Sequence, residues 1–111
     1  LLIYAEALNE ANGGPTPEAY EAINQIRTRA QLANIQPGLD QLAFRKAVLE
    51  ERRFELCFEG KRWFDLVRWD MMVETLSESR PNVKEFHQLF PIPLSEIDVS
   101  GGALEQNPGY N

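Results

Sequence analysis

With 111 residues, of which 43% are hydrophobic and 25% charged, the chain has the size and composition of one globular domain and is too apolar for intrinsic disorder. Its formal net charge of −6 argues against nucleic-acid phosphates and anionic lipid as partners, because both recruit basic surfaces. One cysteine, Cys57, and one histidine, His87, exclude an internal disulfide and a zinc cluster, and no apolar run approaches the roughly 20 residues of a bilayer crossing.

The first helix is expected from about Leu1 to Ala11, with Leu1, Tyr4, Ala5 and Leu8 on one face. Asn12-Gly13-Gly14-Pro15 ends it. Thr16 is a good N-cap and Pro17 suits the first helical position, so a second helix follows to about Leu32 with Ala19, Ile23, Ile26 and Ala30 as its stripe. The short Gly-rich link makes the pair an αα-hairpin. After Pro37-Gly38, Asp40 caps a third helix extending to about Leu76, with Gly60 as a point of bending or division.

Residues 1–78 are thus read as helical and 79–111 as an irregular tail of the same domain. The tail carries Pro81, Pro91, Pro93, Pro108, Gly101, Gly102 and Gly109, and no clear period survives. It is no linker, because Phe86, Leu89, Phe90, Ile92, Leu94, Ile97 and Leu104 are too apolar for solvated coil. Ser95 is placed to cap one short turn through Asp98, and Asn107-Pro108-Gly109-Tyr110 reads as a closing turn.

The third helix concentrates charge. Seven of the 11 Lys and Arg residues lie between Phe44 and Asp70 with six carboxylates, leaving 11 acidic against 4 basic residues elsewhere. Positions 44, 48, 51, 55, 58, 62, 66 and 69 share one side, where Glu51, Glu55 and Arg62 interrupt an apolar stripe. Leu56, Trp63 and Val67 form a second apolar face, and Phe54, Cys57 and Phe64 fill much of the rest. A helix apolar nearly all round belongs inside a protein, and its embedded charges must be paired. The expectation is a structural ion network of Glu51, Arg52, Glu55, Glu59, Arg62, Asp65 and Arg68, with Glu59 pairing Arg62, and Asp65 pairing Arg62 or Arg68, within the helix. Loss of Glu55 is then expected to cost roughly 3 kcal/mol or more.

Other readings of these residues are weaker. Paired acids for glycoside hydrolysis need one raised pKa, whereas the arginines around Glu51 and Glu55 would keep both ionised. Trp63 and Trp69 have flat apolar faces that suit sugar rings, yet their neighbours Phe64, Leu66 and Val67 make core packing the expectation. Cys57 reads as a small buried hydrophobe, and His87 as a solvated or hydrogen-bonded histidine without a nucleophile or metal partner.

Taken together, Tyr4-Ala5-Glu6-Ala7-Leu8-Asn9, Ala22-Ile23-Asn24-Gln25-Ile26-Arg27 with Arg29-Ala30, Glu51-Arg52-Arg53-Phe54-Glu55-Leu56, Phe58-Glu59-Gly60, Arg62-Trp63-Phe64-Asp65-Leu66, Pro91-Ile92-Pro93 with Glu96-Ile97, and Gln106-Asn107-Pro108-Gly109-Tyr110 resemble the C-terminal region of SusD/RagB-type proteins. The resemblance covers essentially the whole chain. It implies an all-α, tetratricopeptide-like scaffold and a role as one piece of a longer outer-membrane lipoprotein of Bacteroidetes. The partners it implies are an oligosaccharide or other nutrient and a SusC-like TonB-dependent transporter. It further implies membrane contact only through an N-terminal lipid anchor outside this chain, no cofactor and no enzymatic activity. No ligand-contacting residue is carried over, because the matching motifs are packing motifs. The alternatives are a helical-repeat module that binds other proteins, and an enzyme of carbohydrate processing built on Glu51 and Glu55.

Overall fold

Two side-chain caps set where the longer helices begin. In the computed structural model, which describes residues 1–110, the Thr16 hydroxyl accepts the Ala19 N–H at 3.3 Å and the Asp40 carboxylate accepts the Ala43 N–H at 2.7 Å. Helix α1 spans Leu2–Ala11, α2 Pro17–Arg29, α3 Gln41–Glu55, α4 Arg62–Arg68, α5 Met72–Leu76 and α6 Leu94–Val99, with a 3₁₀ turn at Glu85–Gln88 between α5 and α6. No strand occurs among the described residues, so the all-α expectation holds. The chain divides into two units, one ending at Arg62 and the other starting at Trp63.

In the first unit, α1 packs on α2 and α3 around Leu2, Ala5, Ala19, Tyr20, Ala22, Ile23, Ile26, Phe44 and Val48. Phe44, Ile23 and Val48 are fully buried, each such side chain contributing about 1.5–3 kcal/mol. Tyr20 and Phe44 meet edge to face at 4.9 Å, and the Tyr20 hydroxyl accepts the Leu39 N–H at 2.9 Å. The inward ridge of α1 differs from the expected one. It consists of Leu2, Ala5 and Asn9, while Leu1 and Tyr4 are exposed, because Asn9 is drawn inward to donate to the Gln41 carbonyl at 3.0 Å.

Helix α2 stops before Leu32, and Ala30 is exposed. Gln31 takes a left-handed φ of 59°, letting Leu32 N–H reach back to the Arg27 carbonyl at 2.8 Å and Gln31 N–H to that of Thr28 at 3.0 Å. Side chains of α2 then hold the loop that follows. Asn24 exchanges two hydrogen bonds with the backbone of Ile35, at 2.8 and 3.1 Å, and Arg27 Nε donates to the Ala33 carbonyl at 2.7 Å.

The expected third helix is in fact three helices. Helix α3 ends at Glu55, Phe58 and Gly60 have φ of 66° and 71°, and the next helix begins at Arg62. Asp70, at φ 53°, closes α4 as Gln31 closes α2, with Met71 N–H on the Leu66 carbonyl at 2.8 Å. Three consequences follow. The stripe is buried through Phe44, Val48 and Glu51, is broken after Glu55 and is buried again only at Leu66; Cys57 is exposed instead of buried; and Phe54, Phe58 and Phe64 all face solvent.

The second unit has a small centre in Leu66, Met72 and the buried Asp65. Its C-terminal residues fold over their own upstream segment. Gln106 both accepts from Ile92 N–H and donates to the Ile92 carbonyl, each at 2.8 Å. Asn107 donates to the Phe90 carbonyl and the Tyr110 hydroxyl to that of Leu89, both at 2.7 Å. Gly109 passes so close to the Phe86 ring that a Cβ there would stand 2.4 Å from it.

Candidate functional site

The conspicuous charges of the Glu51–Trp69 run serve as ties between and within helices. From α3, Glu51 reaches across to Arg27 of α2 at 2.6 Å, and Glu55 pairs with Arg29 of the same helix. The Glu51 carboxylate is 7% exposed, whereas Arg29 is 68% exposed, so the first pair is close to interior and the second is a surface contact. Arg52 lies beside Arg29 and Glu55 on a groove shared with Leu2, Ile26 and Leu56. Asp65, almost fully buried, accepts from Arg68 at 2.9 Å within α4. Glu59 is exposed in the turn between α3 and α4, and Arg62 begins the next helix, so the helical spacing expected to join them does not exist.

Of the seven expected members, then, Asp65 and Arg68 are joined to each other, while Glu51 and Glu55 find arginines outside the expected set. Local spacing reveals partners three or four residues away; Arg27 and Arg29 lie across the helix interface, where spacing along one helix carries no signal. A second cross-helix tie was not anticipated. Glu10 of α1 receives Arg45 and Gln41 of α3, Arg45 Nε at 2.8 Å and Gln41 Nε2 at 3.0 Å. The Arg45 hydrogen bond holds the Glu10 carboxyl below its ordinary value of 4.5, against the opposing effect of burial. Glu51 and Glu55 each have a guanidinium partner.

An open cleft of about 460 Å³ lies in the second unit, lined by Trp63, Leu76, Arg80, Pro81, Asn82, Val83 and His87. Trp63, expected in the core, is only half-buried and rests on the Phe90 ring at 5.7 Å. His87 packs on Phe86 at 4.1 Å, and its Nδ1 lies 2.9 Å from the Lys84 backbone nitrogen and 3.2 Å from the Lys84 carbonyl oxygen. Among the described residues no three His, Cys, Asp or Glu side chains are grouped to hold a metal ion, and no helix is long and apolar enough to cross a membrane.

Helices of this order, packed as an αα-hairpin against a third, place the chain among all-helical proteins of tetratricopeptide-like fold. A family model described as the SusD family matches residues 1–110. SusD-like protein P2 from Formosa agariphila is 38% identical over 122 residues, covering 99% of this chain and 24% of that protein. Among solved structures, a SusD homolog from Bacteroides thetaiotaomicron superposes with a TM-score of 0.89 at 36% identity, over 98% of this chain and 25% of the other. Surface glycan-binding protein A from the same organism gives a TM-score of 0.76 at 31% identity, over 96% of this chain and 22% of the other. The chain belongs to the SusD family, and it spans about a quarter of the length of these relatives.

Proposed function

We propose that this chain is part of the helical scaffold of a glycan-binding protein of the Sus type, which captures nutrient at the bacterial outer membrane and passes it to a SusC-like TonB-dependent transporter. The observation that carries this reading is the structural likeness over 96% of the chain to a surface glycan-binding protein, within a family match that spans residues 1–110. The ion pairs support a scaffold role, since each long tie joins α3 to α1 or α2 and rigidifies the hairpin that loops are mounted on. Membrane attachment through a lipid anchor elsewhere in the protein, and binding without catalysis, belong to the same proposal.

A glycan array with the full-length protein tests the ligand class: binding to at least one oligosaccharide without its hydrolysis is expected, and no binding to any glycan overturns the reading. Affinity purification from outer membranes tests the partner, with a TonB-dependent transporter expected to co-purify.

A further inference from the structure

The cleft of the second unit differs in character from the rest of this acidic chain. Its lining holds no carboxylate, and its one formal charge is Arg80. The Arg80 guanidinium and the Asn82 amide are exposed and have no hydrogen-bond or ion-pair partner among the described residues. His87 adds an imidazole whose Nε2 donates in the tautomer that accepts the Lys84 N–H on Nδ1. On the apolar side, Trp63 is steadied by Phe90 and flanked by Leu76, Pro81 and Val83. An indole beside three polar groups that donate hydrogen bonds is suited to the apolar C–H face of a pyranose and to the oxygens on its rim. An unpaired guanidinium favours an anionic substituent there, which it can bind through two parallel hydrogen bonds. The volume of about 460 Å³ falls within the roughly 300–1,000 Å³ of small-ligand pockets.

We propose that this cleft is a saccharide subsite selective for an acidic sugar, whose carboxylate is held by Arg80 with Asn82 and His87 and whose ring lies against Trp63. The saccharide class rests on the glycan-binding reading above; the cleft, the residues and the preference for charge go beyond it.

Calorimetric titration of the full-length protein with a galacturonic acid trisaccharide and its neutral galactose counterpart tests the subsite. Because Trp63 also packs on Phe90, its replacement endangers folding; Arg80→Gln and Asn82→Ala alter exposed side chains, and circular dichroism checks that the fold is kept. The acidic sugar is expected to bind more tightly than the neutral one, and Arg80→Gln to weaken the acidic sugar about tenfold and remove that preference. Three results overturn the subsite and leave glycan capture standing, provided the protein binds some glycan on the array: no binding of the acidic sugar, no preference for it over the neutral sugar, or an acidic-sugar affinity unchanged in both variants. Absence of binding to any glycan overturns both.

Discussion

Two glutamates one helical turn apart, Glu51 and Glu55, show how burial decides what a charge is worth. Both meet arginines of α2, but Glu51 is 7% exposed and Arg27 24%, against 25% and 68% for Glu55 and Arg29. Removing Glu51 leaves the Arg27 guanidinium in a poorly solvated place, so Glu51→Ala should cost about 2–4 kcal/mol. Glu55→Ala should cost below about 1 kcal/mol, because water replaces the lost partner. This reverses the weight that the sequence places on Glu55. Urea unfolding of the two variants checks the order, and equal midpoint shifts would contradict it. Gly109 is a second residue with a clear demand: its φ is 89° and the Phe86 ring fills the space a methyl would need. Gly109→Ala should destabilise by about 1–3 kcal/mol and shift the Phe86 ring resonances in NMR spectra.

At the scale of elements, α1 is tied to α3 by Glu10 with Arg45 and Gln41. Since the folded carboxyl titrates below 4.5, the tie contributes in full above that pH and is lost as pH falls through the lowered folded value. Glu10→Gln should therefore lower the melting temperature at pH 7 and make its fall below about pH 4.5 shallower; an unchanged slope in a thermal melt series would count against it. Helix starts were legible in the sequence because Thr16 and Asp40 act through neighbours three residues on, and the hairpin because a Gly-Gly-Pro link separates two clear periods. Helix ends were not. The left-handed residues that terminate α2 and α4 are Gln31 and Asp70, and Phe58 precedes Gly60 in the break after α3, three side chains without glycine's freedom. Gly60 marked the division, but the apolar residues beyond it continued the period and masked where helix gave way to turn.

For the whole molecule, family and fold were legible from the order of motifs along the chain, because those motifs are the packing residues themselves: Ala22, Ile23 and Ile26 of α2 and Leu66 of α4 are buried. The cleft was not. Trp63 and His87 are 24 residues apart, brought together by turns without a repeating pattern, and Trp63 among Phe64, Leu66 and Val67 looks like core until the helix break turns Phe64 outward. The same holds for the closing segment, whose fixed point is the pairing of Gln106 with Ile92, 14 residues away. Gln106→Ala should speed amide hydrogen exchange at Ile92 by at least about tenfold, because that N–H would then face water; an unchanged rate would mean that the segment is held by Asn107 and Tyr110 alone.

That pairing has a consequence for how the chain behaves among other chains. In Pro91-Ile92-Pro93 the two prolines have no N–H, so Ile92 supplies the only backbone donor of three residues, and Gln106 takes both that donor and the adjoining carbonyl. An exposed extended stretch with open hydrogen-bonding groups invites a foreign strand to add to it. Here the Gln106 side-chain amide occupies the N–H and C=O of Ile92 that such a strand would use, so at this residue the guard comes from the chain's own sequence.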